Sequence, residues 1–342
     1  MKSVYLVFFV FSFVYSNVSL NIIESSLKEV SICSFDENYV SCRAFYVDEE
    51  NIYISEGKET FVIVINHNGE FIGKFGRKGS GPGEFLISDP VGVYNNQIVI
   101  SDFFQFKFSL FDKKSLQFIN SVPYPPGINI YPQFCKGGLI SLRFNYIDSN
   151  IDGASVVLSD LDDKNKKIIN RYEYKLKSNG NGQFTFNADE QQFFTSDYSN
   201  FVYIVDPSTS RYHIDMYSIK EDKIKSIDRN YVKIPFSNTE KEIKRVISEH
   251  EKYKYSIYQI FADNGYLIVN KAKQVFEEED LHKFYIDIFK NGEYLGETIL
   301  DFLNTYNMWY AQKYLYIKNN KVFIYDIDDA ILRIYDYVIE VN

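Results

Sequence analysis

The chain has 342 residues, of which 45% are hydrophobic and 24% charged, as in ordinary globular proteins. Its formal net charge of −9 argues against nucleic acid as the main partner, because binding a phosphate backbone requires a local excess of lysine and arginine. The 29 tyrosines and 30 phenylalanines favour pleated, half-buried surfaces, so the composition favours β-sheet.

The N-terminus has the pattern of an export signal. Lys2 precedes an almost wholly apolar stretch over residues 4–14, and the compact residues Val14 and Ser16 fit a signal-peptidase site. The apolar stretch is shorter than the roughly 20 residues of a membrane span. We therefore predict a signal peptide over residues 1–16 and a mature chain from about Asn17, without a transmembrane span, in the periplasm, cell envelope or extracellular space. An uncleaved anchor is the alternative.

Export makes disulfide formation chemically possible. Cys33 and Cys42 flank residues 34–38, which read as a turn between two strands, so the two thiols could face each other across a hairpin. Cys135 has no evident partner in the sequence and is predicted to be a buried small apolar residue.

Strand signals recur along the whole chain, each a short β-branched or aromatic run that ends in a turn residue. One unit is repeated almost literally, because residues 62–73 and 285–296 are identical at six of twelve positions. Both segments have the pattern of a strand, an Asn-Gly turn and a second strand. A hairpin that returns at this distance, with weaker copies between, is typical of radial repetition.

These repeats predict an all-β fold, a six-bladed β-propeller of four-stranded antiparallel blades that forms a single domain over residues 17–342. A strand near residues 27–32 is expected to pair with the last blade and close the ring. The provisional blades cover residues 44–79, 89–128, 131–177, 184–237, 255–302 and 307–342.

A helix is predicted to interrupt the repeats over residues 239–252. Ser237 and Glu240 have the capping-box spacing, and Ile243, Val246 and Ile247 fall on one helical face. The helix either packs against the rim or acts as a lid or docking element.

The most specific motif is a glycine-rich stretch at residues 73–85, followed by Pro90 and by a hydrophobic strand that ends in Asp102. The glycines allow a tight turn between blades, and Pro82 stiffens it. The alternative interpretation is a phosphate-binding loop. The glycine spacing differs from that of dinucleotide-binding loops, however, and a strand rather than a helix follows.

Residues 62–112 resemble the NHL-repeat family of β-propellers and the exported six-bladed propellers of the bacterial cell envelope. The resemblance implies the propeller fold and leaves the function open. It also implies structural roles for Gly76, Gly79, Gly81, Pro82, Gly83, Phe85, Pro90 and Asp102.

No catalytic residue, metal site or cofactor is predicted. None of the four histidines, His67, His213, His250 and His282, shows a metal-ligand spacing. Asp160, Asp162 and Asp163 resemble the start of a calcium loop, but Lys164 occupies a ligand position.

We therefore predict an exported, non-catalytic binding propeller that presents loops to a protein, peptide or glycan partner, without nucleic acid. Tyrosine-rich loops at residues 124–126 and 131–132 would suit such a surface or packing between blades. Two alternatives stay open: a metal-dependent lactonase- or lyase-like enzyme with its site at the axial channel, and a structural component of an envelope assembly.

Overall fold

A computed structural model of the chain describes residues 18–36, 41–125, 128–147, 150–172, 194–197, 200–206, 208–243, 252–277, 280, 283–301, 315–326 and 329–341. The predicted signal peptide lies outside these residues. Among the described residues, no helix has the length and apolar character needed to cross a bilayer.

The strands of the first half form three sheets after an N-terminal strand, β1 (Val18–Ser31). Blade 1 contains β2 (Cys42–Val47), β3 (Asn51–Glu56), β4 (Val62–Asn66) and β5 (Phe71–Phe75). Blade 2 contains β6 (Asp89–Tyr94), β7 (Gln97–Asp102), β8 (Lys107–Asp112) and β9 (Phe118–Pro123). Blade 3 contains β10 (Ile128–Cys135), β11 (Gly138–Ile147), β12 (Asn150–Ser159) and β13 (Lys166–Tyr172).

The second half forms three more sheets. Blade 4 contains β14 (Phe194–Ser196), β15 (Phe201–Val205), β16 (Tyr212–Ser218) and β17 (Lys223–Arg229). Blade 5 contains β18 (Ile257–Asp263), β19 (Tyr266–Lys271), β20 (Lys283–Lys290) and β21 (Glu293–Asp301). Blade 6 contains β22 (Leu315–Lys318), β23 (Lys321–Asp326), β24 (Ile331–Val341) and the N-terminal β1.

The six sheets form a closed ring, as the repeats predict for a six-bladed propeller. Each innermost strand contacts the innermost strands of both neighbouring blades, and β22 contacts β2. Strand β1 closes the ring by pairing with β24, from Val18 opposite Val341 to Ser31 opposite Ile331. Pairing the two ends of the chain in one sheet ties the first blade to the last.

Burial along the blades explains the near-continuous hydrophobic runs of the middle strands. Residues 52–56 of β3 are all buried, whereas Phe71 and Ile72 on the outermost strand β5 are exposed. A middle strand is covered on both faces by neighbouring blades, so both sets of alternating side chains must pack. The near-literal repeats at 62–73 and 285–296 form equivalent outer hairpins, β4–β5 and β20–β21.

The inserted helix α1 covers Asn238–Ile243. It begins as the sequence predicts, because the Ser237 hydroxyl accepts from the Glu240 amide and the Glu240 carboxylate accepts from the Ser237 amide. Residues 244–251, the larger part of the predicted helix at 239–252, lie outside the described residues.

Antiparallel strands place the connections of each blade on two opposite faces of the ring. The turn face carries the connections from first to second and from third to fourth strands, such as the positive-φ turns Asn95-Asn96 and Asn291-Gly292. The crossover face carries the connections from second to third strands and from each blade to the next. The helix and the glycine-rich motif both lie on the crossover face.

Candidate functional site

Four exposed apolar residues lie on two connections of the crossover face at blade 2, which a hydrogen bond from the Leu86 amide to Asp102 joins. Leu86 belongs to the connection from β5 to β6, while Phe103, Phe104 and Phe106 belong to the connection from β7 to β8. The Phe103 ring centroid lies 6.3 Å from that of Phe104 and 5.7 Å from that of Phe106. We call these four residues the apolar patch. Clustered apolar exposure of this kind marks interaction sites more often than isolated exposed residues do.

The apolar patch is held in place by one buried carboxylate. Asp102 is fully buried, and its Oδ2 accepts from the Leu86 amide and from the Gln105 side-chain amide, each at 2.7 Å. Its Oδ1 accepts from the Gln105 backbone amide at 3.1 Å. The Gln105 side chain also donates to the Gly79 carbonyl at 3.0 Å. Asp102 and Gln105 therefore join the two connections that carry the patch.

Phe106 has a backbone conformation that phenylalanine seldom adopts. It caps the short 3₁₀ helix Phe103–Gln105 in the left-handed region, with φ 49° and ψ 46°. Glycine or asparagine would adopt this conformation at lower cost. The ring gains little burial in return, since Phe106 remains 64% exposed. Stability alone therefore does not explain a phenylalanine at this position.

The glycine-rich motif folds around its own carboxylate. Glu84 accepts from the Gly81 amide at 2.8 Å and pairs with Arg77 at 2.6 Å. The Gly81 amide is the main cause that lowers the pKa of the Glu84 carboxyl. Gly79 has φ +152°, a conformation that favours glycine, and a Cβ there would lie 2.2 Å from Glu84 Oε2. The Glu84 carboxylate thus binds the loop amide that a phosphate-binding loop would offer to its ligand.

The remaining motif residues also have structural positions. Phe85 is fully buried, and its ring lies against Gly76, where a Cβ would approach to 2.2 Å. Gly83 turns the chain with φ +72°. Pro82 is exposed in that turn, and Pro90 is buried near the start of β6.

Further apolar side chains are exposed on the crossover face across the ring. Val232 and Tyr253 lie in the connection between blades 4 and 5, and Phe276 lies in the connection from β19 to β20. Among the described residues, every exposed large apolar side chain outside the strands lies on the crossover face. The two faces of the ring therefore differ in chemistry.

A buried charged cluster holds the helix and the connection at 272–282. Lys254 and Glu240 are both fully buried, and their charged groups are 2.5 Å apart. Lys254 also donates to the Lys273 carbonyl at 2.7 Å. The Lys273 ammonium donates to backbone carbonyls at the end of that connection. Burial, followed by repulsion from Lys254, lowers the pKa of Lys273 to about 7.

Polar links between blades secure the turn face. Asp48 of blade 1 pairs with Lys113 of blade 2 at 2.9 Å. Asp263 of blade 5 accepts from the backbone amides of Asn319 and Asn320 in blade 6, at 2.8 and 2.9 Å. On this face the described side chains stabilise the ring rather than present an apolar surface.

The two histidines within the described residues pack against neighbouring side chains. His213 places Nδ1 2.7 Å from Asp228 and Nε2 3.1 Å from Asp215. His67 packs on Phe323, with ring centroids 5.1 Å apart, and burial lowers its pKa. His250 and His282 lie outside the described residues.

The aspartates of the calcium-like sequence contact protein groups. Asp163 pairs with Arg143 at 2.7 Å, and Asp160 accepts from the Asn165 side chain at 2.7 Å. Across the part of the chain that the structure describes, no group of three or more histidine, cysteine, aspartate or glutamate side chains is arranged to hold a metal ion.

The cysteines and the tyrosine-rich loop at residue 124 differ in exposure and in packing. Cys33 is exposed in the 3₁₀ helix Ile32–Ser34, whereas Cys42 is buried on β2, and their disulfide stays a prediction. Cys135 is buried. Tyr124 packs on Phe108, with centroids 4.4 Å apart, so its ring contributes to packing within blade 2.

The sequence analysis named Asp102 but missed the three phenylalanines of the apolar patch. The available signal was a four-residue connection at 103–106 containing three phenylalanines, where hairpin connections normally carry polar or glycine residues.

Comparisons with known proteins agree with the fold. The DUF5128 family model, described as a 6-bladed beta-propeller, matches residues 34–286. No curated protein matches the sequence significantly. A solved structure of a Bacteroides fragilis protein inferred to be exported is 15% identical with a TM-score of 0.57, over 94% of this chain and 97% of that one.

A weaker similarity is to a chain of a nidogen/laminin complex, 10% identical with a TM-score of 0.41, over 76% of this chain and 77% of that one. The predicted six blades are confirmed, and the finer NHL resemblance stays a prediction.

Proposed function

The chain belongs to the DUF5128 family of 6-bladed beta-propellers, and we propose that it is an exported, non-catalytic binding protein that docks a protein or peptide partner on the crossover face, through the apolar patch. Export rests on the predicted signal peptide at residues 1–16. The docking role rests on the chemistry of the patch.

Phe106 is the single observation that carries this proposal. A left-handed phenylalanine costs backbone energy, and its exposed ring recovers little of it through burial. A fully buried carboxylate, Asp102, nevertheless fixes this arrangement with three hydrogen bonds. A rigid aromatic side chain loses little entropy when a partner covers it, so it is well suited to anchor an interface.

The side-chain type favours a polypeptide over a glycan. Phenylalanine has no polar group to pair with sugar hydroxyls, whereas tyrosine and tryptophan do. Covering Phe103, Phe104 and Phe106 therefore requires an apolar partner surface, which a protein or peptide offers. The cross-linking experiment below distinguishes a polypeptide partner from a glycan.

Photo-cross-linking in the organism that makes the protein tests this proposal. A benzophenone amino acid replaces Phe104 or Phe276 on the crossover face, or Lys136 or Lys220 on the turn face, and mass spectrometry identifies the products. We expect one polypeptide to be cross-linked from residue 104 and not from residues 136 and 220. Phe106→Ser should weaken this cross-link, since losing an interface anchor costs about 2 kcal/mol, roughly 30-fold in affinity.

Equal cross-linking from both faces, or none from residue 104, would refute the docking role. Products that contain only glycan or lipid would refute the choice of a polypeptide.

A further inference from the structure

Basic side chains surround the apolar patch. Lys58 is exposed in the connection from β3 to β4, and Lys78 is exposed in the connection from β5 to β6 that also carries Leu86. The Lys78 ammonium donates to the Lys58 carbonyl at 3.2 Å. Lys107 directly follows Phe106, and its ammonium donates to the Glu84 carbonyl at 3.3 Å. These contacts hold the Lys78 and Lys107 ammonium groups against the connections at the border of the patch, and Lys58 is exposed next to Lys78.

Two of the carboxylates in these connections bind neighbouring groups, whereas Glu59 is exposed beside Lys58. Glu84 binds Arg77 and the Gly81 amide. Glu56 is buried and caps backbone amides of the connection at 57–61. Within the described residues, none of the three lysines forms an ion pair with a carboxylate. Three lysines and one exposed carboxylate, Glu59, leave this border cationic in a protein whose net charge is −9, and we call it the cationic rim.

We infer that the partner segment that docks on the apolar patch is acidic as well as apolar, with carboxylates that pair with Lys58, Lys78 and Lys107. This inference rests on the proposed docking role and specifies its partner. Charge complementarity of this kind selects the partner and speeds its association.

An anionic membrane is the other surface that could cover phenylalanines bordered by lysines. A short bound segment senses mainly charges within a Debye length, about 8 Å at physiological salt, and therefore the cationic rim. An extended anionic bilayer would instead cover the wider crossover face, which includes the exposed carboxylates of Glu59 and Glu277. The charge distribution therefore favours an acidic polypeptide.

Peptide selection on the folded mature chain tests the inference. A random 12-residue phage library is selected against four immobilised proteins: the unchanged chain, Phe104→Ser/Phe106→Ser, Lys58→Glu/Lys78→Glu, and the turn-face control Lys136→Glu. Thermal unfolding checks that each variant folds. Binding of each protein to vesicles of phosphatidylcholine, with and without phosphatidylglycerol, is measured alongside.

We expect peptides selected on the unchanged chain and on Lys136→Glu to combine aspartate or glutamate with apolar residues. They should bind Lys58→Glu/Lys78→Glu at least tenfold more weakly, and raised salt should reduce the difference. Selected peptides that lack acidic bias but still require Phe104 and Phe106 would overturn the inference and leave the docking role intact. Peptides that do not require the two phenylalanines, or no enrichment, would overturn the docking role itself. Phenylalanine-dependent binding to anionic vesicles alone would replace the acidic polypeptide with a membrane.

Discussion

Replacing Asp102 by asparagine tests whether one carboxylate holds the apolar patch. The carboxylate accepts three hydrogen bonds, from two backbone amides and from the Gln105 side chain. An asparagine has only one acceptor oxygen. If that oxygen keeps the Leu86 and Gln105 side-chain contacts, the new NH₂ group faces the Gln105 backbone N–H, and two donors oppose each other.

The expected cost follows from these contacts. Asp102→Asn loses one buried hydrogen bond to a charged acceptor and weakens two others, about 3 kcal/mol in total. A chain of 342 residues has an unfolding entropy of about 0.7 kcal/mol/K, so the melting temperature should fall by about 4 °C.

Calorimetry and limited proteolysis measure the global and the local effect. Chymotrypsin cleaves after exposed phenylalanines, so we expect cleavage within residues 103–106 to become more than tenfold faster in Asp102→Asn. The matched control is Asp112→Asn, because Asp112 caps an exposed turn of the same blade on the turn face. An unchanged melting temperature with unchanged cleavage at 103–106, or equal acceleration in the control, would refute the role of Asp102.

Other residues give further predictions. The pKa of Lys273 is lowered to about 7, so the folded chain binds fewer protons than the unfolded chain between pH 7 and about 10.4. The free energy of unfolding should therefore rise with pH across this window, by up to about 1.4 kcal/mol per pH unit. Lys273→Met should flatten this slope in thermal scans, and an unchanged slope would contradict the assignment. Gly79→Ala should cost about 1–2 kcal/mol, because Gly79 has φ +152°, a conformation that alanine seldom adopts. Wild-type stability in urea titration would argue against this backbone strain. Asp287→Ala should cost about 3 kcal/mol, since it removes the buried carboxylate that pairs with Arg229 of blade 4 and with Lys271 of blade 5. A smaller loss in Arg229→Gln/Asp287→Ala than in the single variant would support this reason, and an equal loss would contradict it. Elemental analysis of the mature chain should find no tightly bound divalent ion, whereas one ion per chain would favour the enzyme alternative.

The repeated hairpins made the fold predictable from sequence. Residues 62–73 and 285–296 encode the same outer hairpin, and local turn chemistry such as Asn291-Gly292 fixes its geometry. The helix start was also predictable, because Ser237 and Glu240 contact each other through local backbone geometry. Local signals of this kind do not depend on the rest of the chain.

The apolar patch was harder to predict from the sequence. A run of phenylalanines is compatible with burial or with exposure, and only the ring of blades decides between the two. Asp102 illustrates the same limit, because its bond to Leu86 joins segments 16 residues apart. The length of β1 also depended on its partner: the sequence predicted a strand at 27–32, and pairing with β24 extends it over Val18–Ser31.

The two faces of the ring separate stability from binding. Links such as Asp48 to Lys113 and Asp263 to Asn319 stabilise the turn face, and the paired termini close the ring. Connections on the crossover face can then carry costly features, such as the left-handed Phe106, without opening the blades. On this argument a substitution at Asp263 should lower stability while sparing partner binding, whereas one at Phe104 should do the reverse. Measuring melting temperature and peptide binding on both variants decides the point, and parallel losses in both variants would mean that the faces are not separable.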